Sequence, residues 1–332
     1  MHIAILTWGI STEWEVALRS GANMKDWVEI AGHTCESFDL PLEIDAFLSK
    51  YKIFDFVIPV FHGRYGEDGI ITGMCETLGI RVAWCPSGVH ALCMDKFHTN
   101  CVVEKLWVKI PKSWMPGLPL PPKLLPGNEK KETENLDITL IIKPNQWGSS
   151  LGATKAKTLK QFELGIASVE TTIKSLTEER IWLLTSIWWD EKYQRYFPSL
   201  HDLPLVQECI EGREFTVWVY RDRDGTHVLP IIEIVAKTDF FDYQEKYESD
   251  GSNEVFTELP DNLRTALEKQ TRNIYDFLGC RGVVRMDYRY DGTDLYFLEV
   301  NTIPGFTNAS LVPKMWRKAG KNEKDFVEML FF

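Results

Sequence analysis

The sequence lacks paired cysteine motifs, long apolar runs and an excess of basic residues. Its seven cysteines form no Cys-X-X-Cys pair, and most have apolar neighbours, so we interpret them as reduced thiols in the core of a cytoplasmic protein. No stretch approaches the roughly 18 apolar residues of a membrane span, and the opening MHIAILTW lacks the basic start of a signal peptide. These absences predict a soluble, intracellular protein.

Positive charge is in the minority. Lys and Arg total 37 against 48 Asp and Glu residues, which gives a net charge of −11. Polyanions such as nucleic acids and anionic membrane surfaces gain little from binding such a protein, so we expect neither as a partner. A phosphate-bearing ligand must therefore find its cations locally.

The chain is long and rich in aromatic residues. Its 332 residues suggest two or three lobes, at roughly 150 residues per domain. The stretch from about residue 170 to 200 holds Trp182, Trp188 and Trp189 without a chemical motif. We interpret these side chains as packing residues; a surface that meets a partner or covers the substrate is the alternative.

The first hundred residues alternate strand-like with helical runs. Helices are expected from about Thr12, over 43–49 and over 70–78, and strands at HIAILTW, HTCESFDL, FDFVIPVF and RVAW. This alternation predicts a parallel sheet covered by helices. A further helix is expected over 87–105, before a loop rich in Pro and charged residues.

The remaining chain predicts a second, mainly antiparallel region. Strands are expected at LDITLIIKP, LVQECI, EFTVWVYR and HVLPIIEIV, with a helix from near Thr158, an irregular stretch over 239–256 and a helix over about 263–278. The chain then forms a hairpin from GVVRMDYRY, the turn DGTD and LYFLEVNTI.

The hairpin carries the strongest local chemical signal. Glu299 and Asn301 are two apart on one strand and so share a face, and Asp287 on the preceding strand falls within about one residue of facing Glu299. Carboxylate and amide oxygens without His or Cys suit Mg²⁺, which takes its remaining ligands from water and phosphate. The alternative is a solvated outer face.

Two other segments are weaker signals of a binding site. Lys143 ends an apolar strand just before Gly148, Ser149 and Ser150, a loop that can offer donors to phosphate or be a simple turn. It lacks the GxxxxGK[ST] pattern of a P-loop. The segment HGRYGEDG (62–69) follows a strand, where parallel-sheet proteins place their sites, but its histidine can equally be structural.

The acids near the start have a local explanation. Thr12 with Glu15 forms a capping box, and Glu13 lies in the positive first turn of a helix. On these grounds alone both acids stabilise a helix.

In order and spacing, eight segments resemble the D-alanine:D-alanine ligases of the ATP-grasp superfamily over nearly the whole chain. They are STEWEVALRSG (11–21), HGRYGEDG (62–69), MDK (94–96), IKP with GSSLG (142–152), EGREFTV (211–217), FDYQEKY (241–247), GCRGVVRMDY (279–288) and EVNTIPGFTNASLVP (299–313).

The resemblance implies a fold and a reaction. The expected fold is α/β with α+β lobes: an ATP-grasp fold with a Rossmann-like parallel-sheet domain at 1–96, a central lobe at 97–206 and a C-terminal lobe at 207–332. The expected reaction joins two D-alanines for peptidoglycan synthesis, using ATP and two Mg²⁺ ions, with Mn²⁺ as a substitute, through an acyl phosphate. It also implies small-molecule substrates, a cytoplasmic location and a homodimer.

The resemblance assigns roles by position. The implied metal ligands are Asp287, Glu299 and Asn301. The implied nucleotide contacts are Lys96, Lys143, Ser149, Ser150, Gln207, Glu208, Ile210, Glu214 and Lys246. The implied substrate contacts are Glu13, His62, Lys246, Arg285, Ser310 and Leu311. The residues implied to take part in catalysis or loop closure are Glu13, Ser149, Tyr247, Arg285, Gly305 and Ser310. In this assignment Glu13 holds the ammonium of the first D-alanine, and the helix-cap role remains with Glu15.

The sequence departs from the family pattern at several positions. Trp147 stands where Glu is common, and Gln207 where an acid usually meets the adenine amino group. Trp8-Gly9 replaces the usual Gly-Gly, and the aromatic-rich stretch is longer than usual. The alternatives are therefore a divergent ligase with another amino-acid or amine substrate, and a nucleotide-binding protein without ligase activity.

Overall fold

The computed structural model describes residues 1–8, 14–63, 66–116, 135–147, 152–187, 202–236, 252–307 and 310–332. Within these ranges the chain forms three sheets with helices packed against them. No helix of the described ranges is both long and apolar enough to cross a membrane. Of the aromatic-rich stretch from about 170 to 200, residues 188–200 lie outside these ranges, and the interpretation of its tryptophans stays a prediction.

The N-terminal sheet is parallel, as expected. Its strands, in the order β2-β1-β3, are β1 (His2–Trp8), β2 (Thr34–Leu40) and β3 (Phe56–Phe61). The helices of this region are α1 (Trp14–Ile30), α2 (Ile44–Lys50) and α3 (Ile70–Thr77). All residues of β3 are buried, which explains its continuous apolar sequence. The expected parallel sheet is therefore confirmed.

RVAW was wrongly predicted to be a strand. Val82 makes only a single parallel bridge to Val57. Trp84 has a positive φ of 70°, which ends the extended conformation, and its indole N–H donates to the Pro59 carbonyl at 2.6 Å. A turn that buries a tryptophan has replaced the strand.

The helix predicted over 87–105 is two helices, α4 (Ser87–Met94) and α5 (Lys96–Val103). Asp95 separates them with extended backbone angles, and its carboxylate accepts from the His98 N–H at 2.9 Å. A side chain that caps the second helix therefore breaks the first. The break places Lys96 at the first position of α5, with only 8% of the residue exposed.

The central sheet has the order β4-β7-β5-β6 and is antiparallel. Its strands are β4 (Ser113–Trp114), β5 (Asn135–Pro144), β6 (Thr154–Thr158) and β7 (Pro204–Glu208). Helix α6 (Leu159–Ile187) follows β6 and packs on the sheet through Phe162, Ile166 and Val169. The start of α6 agrees with the sequence, but β6 was not predicted.

The C-terminal sheet is antiparallel, in the order β11-β10-β8-β12-β13 with β9 paired to β8. Its strands are β8 (Arg213–Asp222), β9 (Gly225–Val228), β10 (Ile232–Ala236), β11 (Ser252–Phe256), β12 (Val283–Tyr290) and β13 (Leu295–Asn301). Two predictions were wrong here. HVLPIIEIV is two strands separated at Pro230, which has no N–H for a ladder, and the end of the predicted irregular stretch is β11.

Three helices complete the C-terminal region: α7 (Asp261–Leu278), α8 (Leu311–Lys318) and α9 (Glu323–Met329). Leu263, Leu267, Ile274 and Leu278 of α7 belong to the core under the C-terminal sheet, together with Cys93 of α4 and Val103 of α5. Helices α4 and α5 therefore pack on the C-terminal sheet. The domain boundaries at 96/97 and 206/207 stay a prediction.

All seven cysteines are free thiols, and four of them are buried. Burial raises the pKa of Cys75 to about 12, so this thiol stays protonated and behaves as a small apolar side chain. Cys101 is exposed and does not belong to the core.

An aromatic cluster joins the N-terminal sheet to the C-terminal helices. Phe326 of α9 packs edge-on against Trp27 of α1 at 5.3 Å and against Trp316 of α8 at 5.1 Å, and it contacts Phe306 at 4.8 Å. All four residues are buried. Part of the aromatic excess is therefore a packed junction between distant parts of the chain.

We predict that Phe326→Ala lowers the free energy of unfolding by about 3–5 kcal/mol, because it leaves a cavity among rings that cannot collapse into it. Phe277→Ala is the matched control, since Phe277 is half-exposed on α7. Its cost should stay within about 0.5 kcal/mol. Thermal and urea unfolding measure both, and equal effects would contradict the assignment of the cluster.

A second prediction concerns an ion pair on the C-terminal sheet. Arg213 binds Glu233 through two hydrogen bonds of 2.7 Å, and this contact holds the pKa of Glu233 below its ordinary value of 4.5. A lowered carboxyl pKa stabilises the fold above the unfolded pKa, and the stabilisation is lost as the pH falls through the folded pKa. Glu233→Gln should therefore cost about 1 kcal/mol at neutral pH, Arg213 being partly solvated.

This difference between the wild type and Glu233→Gln should shrink as the pH falls below 4.5. Glu328→Gln, which removes an exposed pair with Lys324, is the control and should change stability little at any pH. Unfolding midpoints measured from pH 7 to pH 3 make the comparison; a difference that does not depend on pH would exclude the ion pair as its cause.

Candidate active site

The register of the β12–β13 hairpin brings the predicted metal ligands together. Asp287 pairs directly with Glu299, and Arg285 pairs with Asn301. A bulge follows Asp287, since the next pair is Tyr288 with Phe297. The expected facing of Asp287 and Glu299 is confirmed, and all four polar side chains are half-buried.

Two cations approach these acids from different parts of the chain. The Arg285 Nε donates to Asp287 Oδ2 at 3.1 Å, and its terminal nitrogen lies 3.9 Å from Glu299 Oε1. The Lys96 Nζ, at the start of α5, lies 3.6 Å from Glu299 Oε2 and donates to the Trp147 carbonyl at 2.8 Å. Thr216 of β8 donates its hydroxyl to Asp287 at 2.7 Å. The site therefore combines oxygen ligands with fixed positive charge.

The donor set fits a hard divalent cation such as Mg²⁺. Asn301 Oδ1 is buried and has no hydrogen-bond partner among the residues described, so it is available as a ligand. In the same part of the chain no three His, Cys, Asp or Glu side chains gather as a metal site. Two carboxylates and one amide suit an ion that takes its other ligands from water and phosphate.

A buried histidine lies behind this face. His90 of α4 hydrogen-bonds through Nδ1 to the Thr302 hydroxyl at 2.6 Å, directly after Asn301. Burial lowers the pKa of His90 to about 4, so the ring is neutral and adds no charge to the site. Sequence analysis missed His90; its only signal is a polar residue inside an apolar helical stretch.

The carboxyl group of Asp95, one residue before Lys96, has a shifted pKa. Burial pushes the pKa of Asp95 upward, but hydrogen bonds from the His98 N–H, the Asn145 side chain and the His98 ring outweigh it, and the pKa is lowered. The carboxylate therefore stays ionised and keeps its cap on α5.

The predicted substrate residues of the loop between β13 and α8 also lie together. Ser310 Oγ accepts from the Thr307 N–H at 3.0 Å, and Leu311 begins α8 directly after Ser310. A Cβ added at Gly305 would meet Ser310 Oγ at 3.2 Å. The Gly305 backbone and the Ser310 hydroxyl are therefore neighbours.

His62 connects the N-terminal sheet to this loop. It lies at the end of β3 with 6% exposure, and its Nε2 is 3.0 Å from the Ser20 hydroxyl of α1. Its Nδ1 is 3.8 Å from Glu67. The Ser20 oxygen also accepts from the Phe306 N–H at 3.2 Å. Sequence analysis missed Ser20, although a polar residue on the buried face of α1 was a usable signal.

Four other predicted nucleotide contacts lie on or directly after strands of the central sheet, or on β8. Lys143 of β5 pairs with Leu205 of β7, and Glu208 pairs with Leu140; Ile210 follows β7. Glu214 of β8 accepts from Arg289 at 2.6 Å.

Two departures from the family pattern have defined surroundings. The buried Gln207 amide donates to Ser113 Oγ at 2.9 Å. Trp147 is buried, and its Nε1 has no partner within the described ranges. Of the pair Trp8-Gly9, Trp8 ends β1 and Gly9 lies outside the described residues.

Several predicted site residues lie outside the described residues. They are Glu13, Ser149, Ser150, Lys246 and Tyr247. Their roles stay predictions.

Known proteins resemble this chain over almost its full length. The family model "D-ala D-ala ligase C-terminus" matches residues 200–331. The D-alanine–D-alanine ligase of Clostridium acetobutylicum is 32% identical, with 99% of this chain and 96% of the relative covered. That of Thermotoga petrophila is 30% identical, with the same coverage of both chains.

A solved structure supports the fold. The D-alanine–D-alanine ligase of Bacillus anthracis, complexed with ATP, superposes with a TM-score of 0.72 at 24% identity and covers 99% of this chain and 96% of its own. Together with the full-length relatives at 30% identity and above, the comparison establishes that this chain belongs to the D-alanine–D-alanine ligase family of ATP-grasp enzymes.

Proposed function

We propose that this protein is an ATP-dependent ligase that joins two D-alanines into D-alanyl-D-alanine for peptidoglycan synthesis. The observation that carries the proposal is the hairpin register, which sets Asp287, Glu299, Asn301 and Arg285 on neighbouring positions in a chain matched over its full length by relatives named D-alanine–D-alanine ligase. The ATP in the similar Bacillus anthracis structure supports ATP as the phosphoryl donor.

In the first step, ATP phosphorylates the carboxylate of the first D-alanine. Asp287, Glu299 and Asn301 would hold two Mg²⁺ ions, or Mn²⁺ in their place; such ions neutralise phosphate charge during transfer. Lys96 and Lys143 supply further positive charge to the phosphates. Glu214 contacts the ribose, and Gln207, Glu208 and Ile210 line the adenine.

In the second step, the amine of the second D-alanine attacks the acyl carbon, loses a proton and expels phosphate. Arg285 and the Gly305 N–H stabilise the oxyanion of the tetrahedral intermediate. Glu13 and His62 hold the first D-alanine. Lys246, Ser310 and the Leu311 N–H bind the carboxylate of the second.

Closure over the site excludes water, which would otherwise hydrolyse the acyl phosphate. We assign this role to the segments carrying Ser149, Ser150 and Tyr247, which match the family's closing loops. The enzyme works on small molecules in the cytoplasm as a homodimer of three-lobed subunits, with lobes 1–96, 97–206 and 207–332. Its acidic composition disfavours nucleic-acid and membrane partners.

The main alternative is the same chemistry with another amino acid or amine. A survey with ATP and paired D- and L-amino acids, read by product mass, separates the two. D-alanyl-D-alanine as the dominant product is expected; ADP release that ignores D-alanine and responds to another substrate would contradict the proposal. A binding protein without activity would give no product with any pair.

Arg285→Ala and Asn301→Ala should each lower phosphate release by about 10³-fold or more, because each removes a group that stabilises charge developing in the transition state. Arg272→Ala, which removes a half-buried ion pair with Glu268 on α7, is the matched control and should retain normal turnover. Phosphate release and circular dichroism are measured together. Near-normal turnover in either site variant, with an intact fold, would exclude the assigned roles.

A further inference from the structure

Three side chains on one face of helix α1 contact Phe306, a residue of the loop between β13 and α8. Ser20, Asn23 and Trp27 follow helical spacing, and all three are buried. Ser20 accepts from the Phe306 N–H at 3.2 Å, and the Asn23 amide donates to the Phe306 carbonyl at 2.8 Å. The Trp27 ring packs edge-on against Phe306 at 4.6 Å. We name this set of three α1 side chains the Phe306 clamp.

Packing alone does not explain the polar members of the clamp. Ser and Asn are poorer helix formers than apolar straight-chain residues, and burying their side chains is unfavourable unless they are hydrogen-bonded. Here each is bonded to a backbone group of Phe306, which is itself only 1% exposed. The clamp therefore satisfies both the N–H and the C=O of one buried residue.

The clamp acts next to Gly305. Pro304 on one side has a fixed φ, whereas Gly305 has the widest backbone freedom of any residue. The bond from the Phe306 N–H to Ser20 fixes the peptide plane that follows Gly305, and Ser310 Oγ lies only 3.2 Å from where a Cβ on Gly305 would stand. These restraints hold the carboxyl side of Gly305 from outside its own loop and so narrow the range of directions that the Gly305 N–H can take.

We propose that Ser20 and Asn23 are positioning residues of the ligase reaction, which hold Phe306 so that the Gly305 N–H stays aimed at the developing oxyanion. This inference rests on the role proposed above for Gly305. The effect is preorganisation: a donor that need not reorient during the reaction stabilises the transition state more effectively.

Ser20 also connects this donor to the first substrate. Its oxygen accepts from Phe306 and its single proton is then free to be donated to His62 Nε2 at 3.0 Å. On the other side of the ring, His62 Nδ1 lies 3.8 Å from Glu67. One hydroxyl thus orients both His62 and the peptide beside Gly305, whereas Asn23 touches only the Phe306 side.

Variants at Asn23 and at Ser20 should differ in their kinetics. Asn23→Ala should lower kcat about 10- to 100-fold, the usual cost of a small misplacement of a catalytic group, and leave the KM of the first D-alanine unchanged. Ser20→Ala should lower kcat similarly and also raise that KM, because His62 loses its partner. Asn23→Asp keeps the volume and removes the donor, so it should behave like Asn23→Ala.

Thr271→Val is the matched control. Thr271 lies on α7, and its hydroxyl is equally buried and hydrogen-bonded to the Tyr288 hydroxyl at 2.9 Å. The variant should lower the unfolding midpoint without changing kcat. If Asn23→Asp, Asn23→Ala and Ser20→Ala all behave like this control, the clamp is structural only and the inference is overturned.

A readout independent of turnover separates this inference from the proposed function. Amide hydrogen exchange at Phe306 in the full chain should be about 5- to 10-fold faster in Ser20→Ala, the effect of one lost hydrogen bond. Unchanged protection would overturn the clamp even in an active ligase. Wild-type protein that ignores D-alanine would overturn the proposed function instead, and Phe306 exchange would still test the clamp.

Discussion

The pairing of Asp287 with Glu299 is the constraint on which the site depends. Strand β12 lies between β8 and β13, so its register is fixed on both sides: Asp287 faces Thr216 on one neighbour and Glu299 on the other. A slip of one residue would turn every side chain to the opposite face. Oxygen ligands, Arg285 and the approach of Lys96 all follow from this register.

The net charge of −11 does not describe this site. Charges in solution act over about 8 Å at physiological salt, so the balance inside a cleft is set by its immediate neighbours. Lys96 and Arg285 come within 4 Å of Glu299 because a helix start and a central strand place them there. An acidic protein can therefore place two cations beside its two hairpin acids.

Secondary structure was predicted correctly from the sequence where one periodic pattern of apolar residues determined it. The parallel N-terminal sheet, the α7 stripe and the final hairpin were all predicted from apolar spacing. The prediction failed where a single side chain overrode the pattern. The cap at Asp95 split a helix, the positive φ of Trp84 ended a strand, and Pro230 divided another. The short strand β6 has no apolar run to reveal it.

The site was predictable to the extent that its residues lie close in sequence. The predicted ligands Glu299 and Asn301 are two apart on one strand, so their shared face is a local property. Ser20, Asn23 and His90 were missed because their partners are far away: Phe306 lies 286 positions from Ser20, and Thr302 lies 212 positions from His90. Only the folded chain shows why polar residues occupy those apolar faces.

Trp147 and Gln207 are the points at which this chain differs most informatively from the family pattern. Lys96 donates to the Trp147 backbone carbonyl and not to its side chain, so this hydrogen bond does not depend on which side chain stands at 147. Gln207 is held by Ser113, which keeps an uncharged amide at the position that we propose for the adenine contact. Both changes leave the hairpin acids, Arg285 and the 305–311 loop intact, and these carry the proposed chemistry.

The measurement that tests the account most directly is the dependence of ADP formation on D-alanine concentration, with wild-type protein, ATP and Mg²⁺. The account predicts little ADP without D-alanine and a saturable increase as D-alanine is added, with one dipeptide formed per ADP. ADP formation that does not respond to D-alanine would contradict it.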